Sequence, residues 1–163
     1  MARSSIGPDL SLERELFKEH KLLVGIDEVG RGAYAGPVTV GVCVIDTNCA
    51  AIPVGLKDSK LLTLINREKL IPNIATWALA TAVGDAQPHE IDEIGMTAAL
   101  RLAANRALNS LDISPDVAIL DGSHNWLTPP TRDLFSQPPA ETEYLGKVIM
   151  KVKADMSCAS VAA

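Results

Sequence analysis

Three apolar runs, far apart along the chain, each end in a carboxylate, and this pattern limits the possible folds more than any other feature. Leu22-Leu23-Val24-Gly25-Ile26 stops at Asp27-Glu28. Asp116-Val117-Ala118-Ile119-Leu120 stops at Asp121-Gly122, and Val148 to Lys153 leads to Asp155. Short apolar runs bounded by turn residues read as buried strands. Val38, Val40, Val42 and Val44 alternate with smaller residues and predict a further strand. Trp77, Leu79, Thr81 and Val83 predict another, and the segment from Ala50 to Val54, interrupted by Pro53, a weaker one. Helices are expected over Ser11 to His20, Thr63 to Ala75 and Met96 to Leu111, with Pro72 kinking or shortening the second. His89, Glu90, Asp92 and Glu93 read as an acidic first helical turn. The proline-bearing stretch from Ser123 to Gly146 reads as a long irregular loop.

This order predicts an α/β mixed sheet with flanking helices, antiparallel strands first and helix-linked strands after. At 163 residues, one domain spanning 1–163 is expected. No apolar run reaches the roughly 18–20 residues of a membrane span, and no apolar stretch follows Arg3 as in a signal peptide. Cys43, Cys49 and Cys158 form no CxxC pair, so cytoplasmic residence is the expectation. The net charge of −5 has the wrong sign for a partner rich in phosphate. The acidic excess sits mainly between Asp85 and Glu143. Arg31, Lys57, Lys60, Arg67, Lys147, Lys151 and Lys153 are left to form any basic surface.

Ligands of such sheets gather beyond the carboxyl ends of the parallel strands. Asp27, Glu28, Asp121 and Asp155 would meet there, and clustered carboxylates repel unless cations neutralise them. Oxygen donors without His or Cys favour Mg²⁺ or Mn²⁺. Two such ions roughly 3.5–4 Å apart can activate a water and stabilise a leaving oxygen of a phosphodiester. Gly30-Arg31-Gly32 allows close backbone approach beside a guanidinium, and its spacing to Gly36 is not that of a dinucleotide site. Lys57-Asp58-Ser59-Lys60 offers cations and a hydroxyl to phosphates. His20, His89 and His124 share no ligand spacing, Cys43 reads as core, and Trp126 as packing on its own scaffold. Nothing pairs a nucleophilic Ser or Cys with a His.

Gly25-Ile26-Asp27-Glu28-Val29-Gly30-Arg31-Gly32 with Ala35-Gly36-Pro37-Val38 closely resembles the N-terminal signature of ribonuclease HII. Lys57-Asp58-Ser59-Lys60-Leu61-Leu62, Leu120-Asp121-Gly122 and Val152-Lys153-Ala154-Asp155 resemble its later blocks, in the same order. The resemblance implies a ribonuclease H-like fold and two-metal hydrolysis leaving a 3′-hydroxyl and a 5′-phosphate. It implies RNA–DNA hybrids and DNA containing single ribonucleotides as substrates, and no membrane partner. By the same resemblance Asp27, Glu28, Asp121 and Asp155 hold the metals and do the catalysis. Gly30, Arg31 and Gly32 meet the 2′-hydroxyl and Lys60 a backbone phosphate, with Ser59 also among the substrate-binding residues. A monomer is expected.

Two departures accompany the resemblance. Asp121-Gly122 is followed by Ser123-His124-Asn125-Trp126 instead of the commoner Asn-Arg or Asn-Tyr pair. Family members also continue with further helices and a sugar-stacking tyrosine, a position that neither Tyr34 nor Tyr144 matches. The C-terminal helical part is therefore expected to be missing, with Ser157 to Ala163 starting a helix whose continuation would cover apolar surface beside Asp155. Two other functions fit the same carboxylates: a metal-dependent phosphatase using Asp27 or Asp121 as nucleophile, and an inactive, shortened nucleic-acid-binding remnant.

Overall fold

The computed structural model describes residues 7–129 and 143–163. The chain opens with helix α1 (Ser11–Leu16) and strands β1 (Leu22–Val29) and β2 (Val38–Asp46). Helix α2 (Leu64–Trp77), strand β3 (Ala80–Ala86) and helices α3 (Pro88–Ile94) and α4 (Met96–Asn109) follow. Strands β4 (Val117–Asp121) and β5 (Lys147–Lys151) and two short helices, α5 (Ala154–Ser157) and α6 (Ala159–Ala162), complete it. The strands form one sheet in the order β3-β2-β1-β4-β5. β1 pairs antiparallel with β2 and β2 with β3, whereas β1–β4 and β4–β5 are parallel. This is the expected mixed sheet.

Side chains alternate across a strand, so each strand feeds two layers. Val24, Ile26, Val38, Val40, Val42, Val44, Ala118 and Leu120 pack with the Ala-Leu face of α4. Leu23, Cys43, Ile45, Val117 and Ile119 pack on the other side with Leu10, Ala154, Cys158, Ala159 and Val161. Both layers need glycine where backbone meets backbone. A Cβ at Gly84 would collide with the Ala103 carbonyl and lie 2.7 Å from Ala107 N, so α4 approaches β3 only because that position is bare. Trp126 is buried in the first layer, and Cys43 in the second, where burial pushes its thiol up to about 12.

Four sequence expectations change. No strand forms over Ala50 to Val54; the segment is loop, consistent with Pro53, and Trp77 Nε1 donates to Ala50 O at 3.0 Å. Trp77 ends α2 and the strand starts at Ala80, because the Trp77 ring is used to hold that loop. Pro72 lies inside α2 without ending it: Glu68, whose carbonyl loses its partner, faces solvent, and only Leu70 of this helix is buried. The C-terminal helix is broken at Cys158, which is extended (φ −110°, ψ 126°) between α5 and α6. The part of the expected loop at 130–142 lies outside the described residues. Among the described residues no helix is long and apolar enough to cross a membrane.

Candidate active site

Ile26 pairs with Leu120 across the parallel β1–β4 ladder, so the next residues, Asp27 and Asp121, stand side by side where that ladder stops, although β1 itself does not end at Asp27 as expected but runs on to Val29 along β2. Alternation puts both on the face of Gly25 and Ile119, the layer that carries α5 and α6. The Ala154 N–H donates to Asp121 Oδ1 at 2.7 Å, tying the start of α5 to the end of β4. Lys153 enters that turn in the left-handed region (φ 61°), and Gly122 leaves β4 likewise at φ 102°. This tight exit delivers Asp155, only 7% exposed, to the same rim.

Asp27, Glu28, Ser59, Lys60 and Asp155 line one cavity of about 560 Å³. Its floor includes Gly41, the register partner of Asp27, where a Cβ would meet nothing within 4 Å. Ile71 and Ile74 of α2, Val83 of β3 and Val161 of α6 form the apolar walls. Burial raises the Asp27 carboxyl from its ordinary 3.8 to about 6. The Glu28 N–H, 2.9 Å from Asp27 Oδ1, and the Lys60 ammonium oppose that rise, while the Glu28 and Asp121 carboxylates add to it. Lys60 Nζ donates to Asp155 Oδ2 at 3.0 Å, and this bond is the main reason its own pKa is raised. Glu28 Oε1 accepts from Arg31 at 3.4 Å, whereas Glu28 Oε2 is buried without a partner.

The structure thus brings the four expected carboxylates and Lys60 to one end of the sheet. Gly30, Arg31 and Gly32 stand beside them in the β1–β2 loop but do not line the cavity. Gly30 (φ 92°) closes that loop, since a Cβ there would strike the Pro37 carbonyl. Ser59 opens a short 3₁₀ turn, Ser59–Leu61, in which Asp58 caps the Lys60 N–H at 2.9 Å. His89 and His124 are exposed, far from any ligand pattern.

Among the described residues no three His, Cys, Asp or Glu side chains are placed so as to hold a metal ion together. The donor set still fits a hard divalent ion. Its donors are all oxygens, one of them (Glu28 Oε2) is buried with nothing to bind, and Asp27 is crowded by carboxylates that a cation would offset. Sequence reasoning missed Gly41, whose lack of a side chain opens the cavity. The only signal for Gly41 was a glycine inside a valine-alternating strand.

The family model for ribonuclease HII matches residues 24–163. A ribonuclease HII of Streptomyces coelicolor is 49% identical over 143 residues, 88% of this chain and 54% of that protein. The ribonuclease HII of Thermus thermophilus is 39% identical over 145 residues, 84% of this chain and 68% of the other. The crystal structure of ribonuclease H2 from Pyrococcus horikoshii superposes with a TM-score of 0.65 at 32% identity, covering 86% of this chain and 67% of that one. The chain spans about half the length of its Streptomyces relatives. With the motif residues gathered at one sheet end and the family model covering nearly all of the chain, this protein belongs to the ribonuclease HII family.

Proposed function

We propose that this chain hydrolyses the RNA strand of RNA–DNA hybrids and cuts at ribonucleotides embedded in DNA, using two divalent ions, Mg²⁺ or Mn²⁺. The observation that carries this reading is that Asp27 and Asp121 directly follow the paired Ile26 and Leu120 on adjacent parallel strands, with Asp155 lining the same cavity as Asp27. Asp27, Glu28, Asp121 and Asp155 would hold the ions. When bound, such ions activate a water and neutralise charge building on the phosphodiester. The protein's own part is to hold Asp27, Glu28 and Asp155 in a half-buried cleft, with Asp121 beside Asp27 at its edge, where electrostatic attraction is stronger than in water. Gly30, Arg31 and Gly32 meet the 2′-hydroxyl. Ser59 and Lys60, both exposed at the mouth, meet a phosphate.

The test is an end-labelled duplex carrying one ribonucleotide, run beside an all-DNA duplex, a long hybrid and a small phosphomonoester, with Mg²⁺ or Mn²⁺ and then with chelator. Metal-dependent cutting of only the ribonucleotide-containing substrates is expected. Turnover of the phosphomonoester alone would favour a phosphatase, and binding without cutting would indicate an inactive remnant. Either result would overturn the reading.

The loop and the lysine divide the work of recognition. Arg31→Ala is expected to weaken discrimination for the ribonucleotide more than overall duplex affinity, because flanking glycines set it at the sugar. Its side chain is 54% exposed and its bond to Glu28 is long, so stability should hardly change. Lys60→Ala should lower affinity for every duplex and reduce the salt slope by about one unit. Binding titrations of DNA and hybrid at several salt concentrations check this, and equal effects of both substitutions on both duplexes would contradict it.

A further inference from the structure

We infer that Glu13, in a helix preceding the region matched by the family model, is a positioning residue that fixes the Asp155 turn against β1. The inference rests on the cleavage reading above only for its catalytic consequence.

Glu13 is 0% exposed, the most deeply buried charged residue type among the described residues. Taking a carboxylate out of water costs several kcal/mol unless its partners are well placed, so an apolar residue would pack α1 on the core more cheaply. Here one oxygen is fully used. Oε1 accepts from the Ser160 N–H at 3.0 Å and from Ser160 Oγ at 2.8 Å, while Oε2 is buried without a partner. The contact joins residues 147 positions apart in the chain.

On its other side Ser160 touches β1. Its carbonyl group lies where a Cβ of Gly25 would be, and Val161 N would be 2.6 Å from that atom. Ser160 is therefore wedged between Glu13 and the glycine two residues before Asp27. A second tie runs in parallel: the Asp9 N–H donates to Ser157 O at 3.1 Å and the Ala159 N–H to Asp9 O at 2.9 Å. Asp155 sits between these ties and the Asp121–Ala154 bond at the head of α5. The head of the turn is thus anchored to one carboxylate of the site and its tail to α1. Four-residue helices hold no shape by themselves, so the tail anchor sets where Asp155 stands relative to Asp27.

Glu13→Gln keeps an oxygen facing Ser160, Glu13→Leu fills the space without an acceptor, and Ser160→Ala removes one bond of the two. All are measured well below their melting temperatures. In Glu13→Leu, amide hydrogen exchange of residues 155–161 should quicken about tenfold, with a similar loss in Mn²⁺ affinity. The cleavage kcat should fall about tenfold with KM for the duplex unchanged, the pattern of a site that binds substrate but is misaligned. Glu13→Gln should stay within about twofold of wild type, and Ser160→Ala should fall between the two. A purely structural role would lower the melting temperature and leave exchange of 155–161, Mn²⁺ affinity and kcat at wild-type values. That result overturns the inference. A wild-type chain that fails to cleave overturns the proposed function instead, and the exchange comparison then still decides the role of Glu13.

Discussion

Asp27→Asn is expected to abolish metal-dependent cleavage, a loss beyond the roughly 10–100-fold seen when groups behind a metal ligand are changed. Asparagine keeps the shape and its oxygen can still accept the Glu28 N–H, so the fold survives. Metal-free protein should even gain stability. The Asp27 carboxyl sits at about 6 in the folded chain against an ordinary 3.8, chiefly through desolvation. The folded state therefore binds the proton more tightly than the unfolded one, and stability falls as pH rises between those two values. The penalty is fully present above about pH 6 and absent below about pH 4. Because the group is only part-buried, the gain on neutralising it is on the order of 1 kcal/mol. Thermal melts in chelator check it: the variant should melt higher at neutral pH, and the difference should vanish toward pH 4. Asp121→Asn should lose activity equally, since its amide oxygen can still hold the Ala154 N–H while no longer offering a charged ligand.

Gly25→Ala should be as damaging, by a different route. The new methyl group would occupy the position of the Ser160 carbonyl, and the obstacle is backbone on both sides, so no side-chain rotation relieves it. Overpacking of this kind costs about 1–3 kcal/mol or more. The relief available is to lift α6 off β1, which drags Asp155 away from Asp27. A displacement of about 1 Å at a reacting site costs about 100-fold in rate. Denaturant melts and single-turnover cleavage check the two effects. An alanine variant with wild-type stability and rate would show that α6 does not depend on the bare position.

The candidate site was legible in the sequence as far as its parts are local, an apolar run with an acid close behind it, but the strand bounds were not: β1 runs on past Asp27 to Val29, and Asp155 lies in α5 and not directly after β5. Parallel pairing of β1 with β4 then follows from topology, and that alone brings Asp27 beside Asp121. The valine alternation of β2 was equally plain, since every second residue enters the α4 layer. What was hidden depends on contacts between distant segments. Nothing in the spacing of the first helix marks Glu13, because its partner Ser160 lies 147 residues away. Trp77 fitted a strand by alternation, and its use at the end of α2 reflects a loop carbonyl that no period reveals. Lys60 read as a surface cation for phosphate, and its additional bond to Asp155, 95 residues away, is a contact no local pattern shows.

Asp27 of β1, Asp121 of β4 and Asp155 of α5 are expected to form one cation-dependent site, and a Mn²⁺ titration followed by electron paramagnetic resonance tests this most directly. Wild-type chain should bind saturably, and Asp27→Asn, Asp121→Asn and Asp155→Asn should each weaken binding by more than about tenfold. Three variants that bind Mn²⁺ as the wild type does, with cleavage intact, would show that these aspartates are not metal ligands and that the chemistry lies elsewhere.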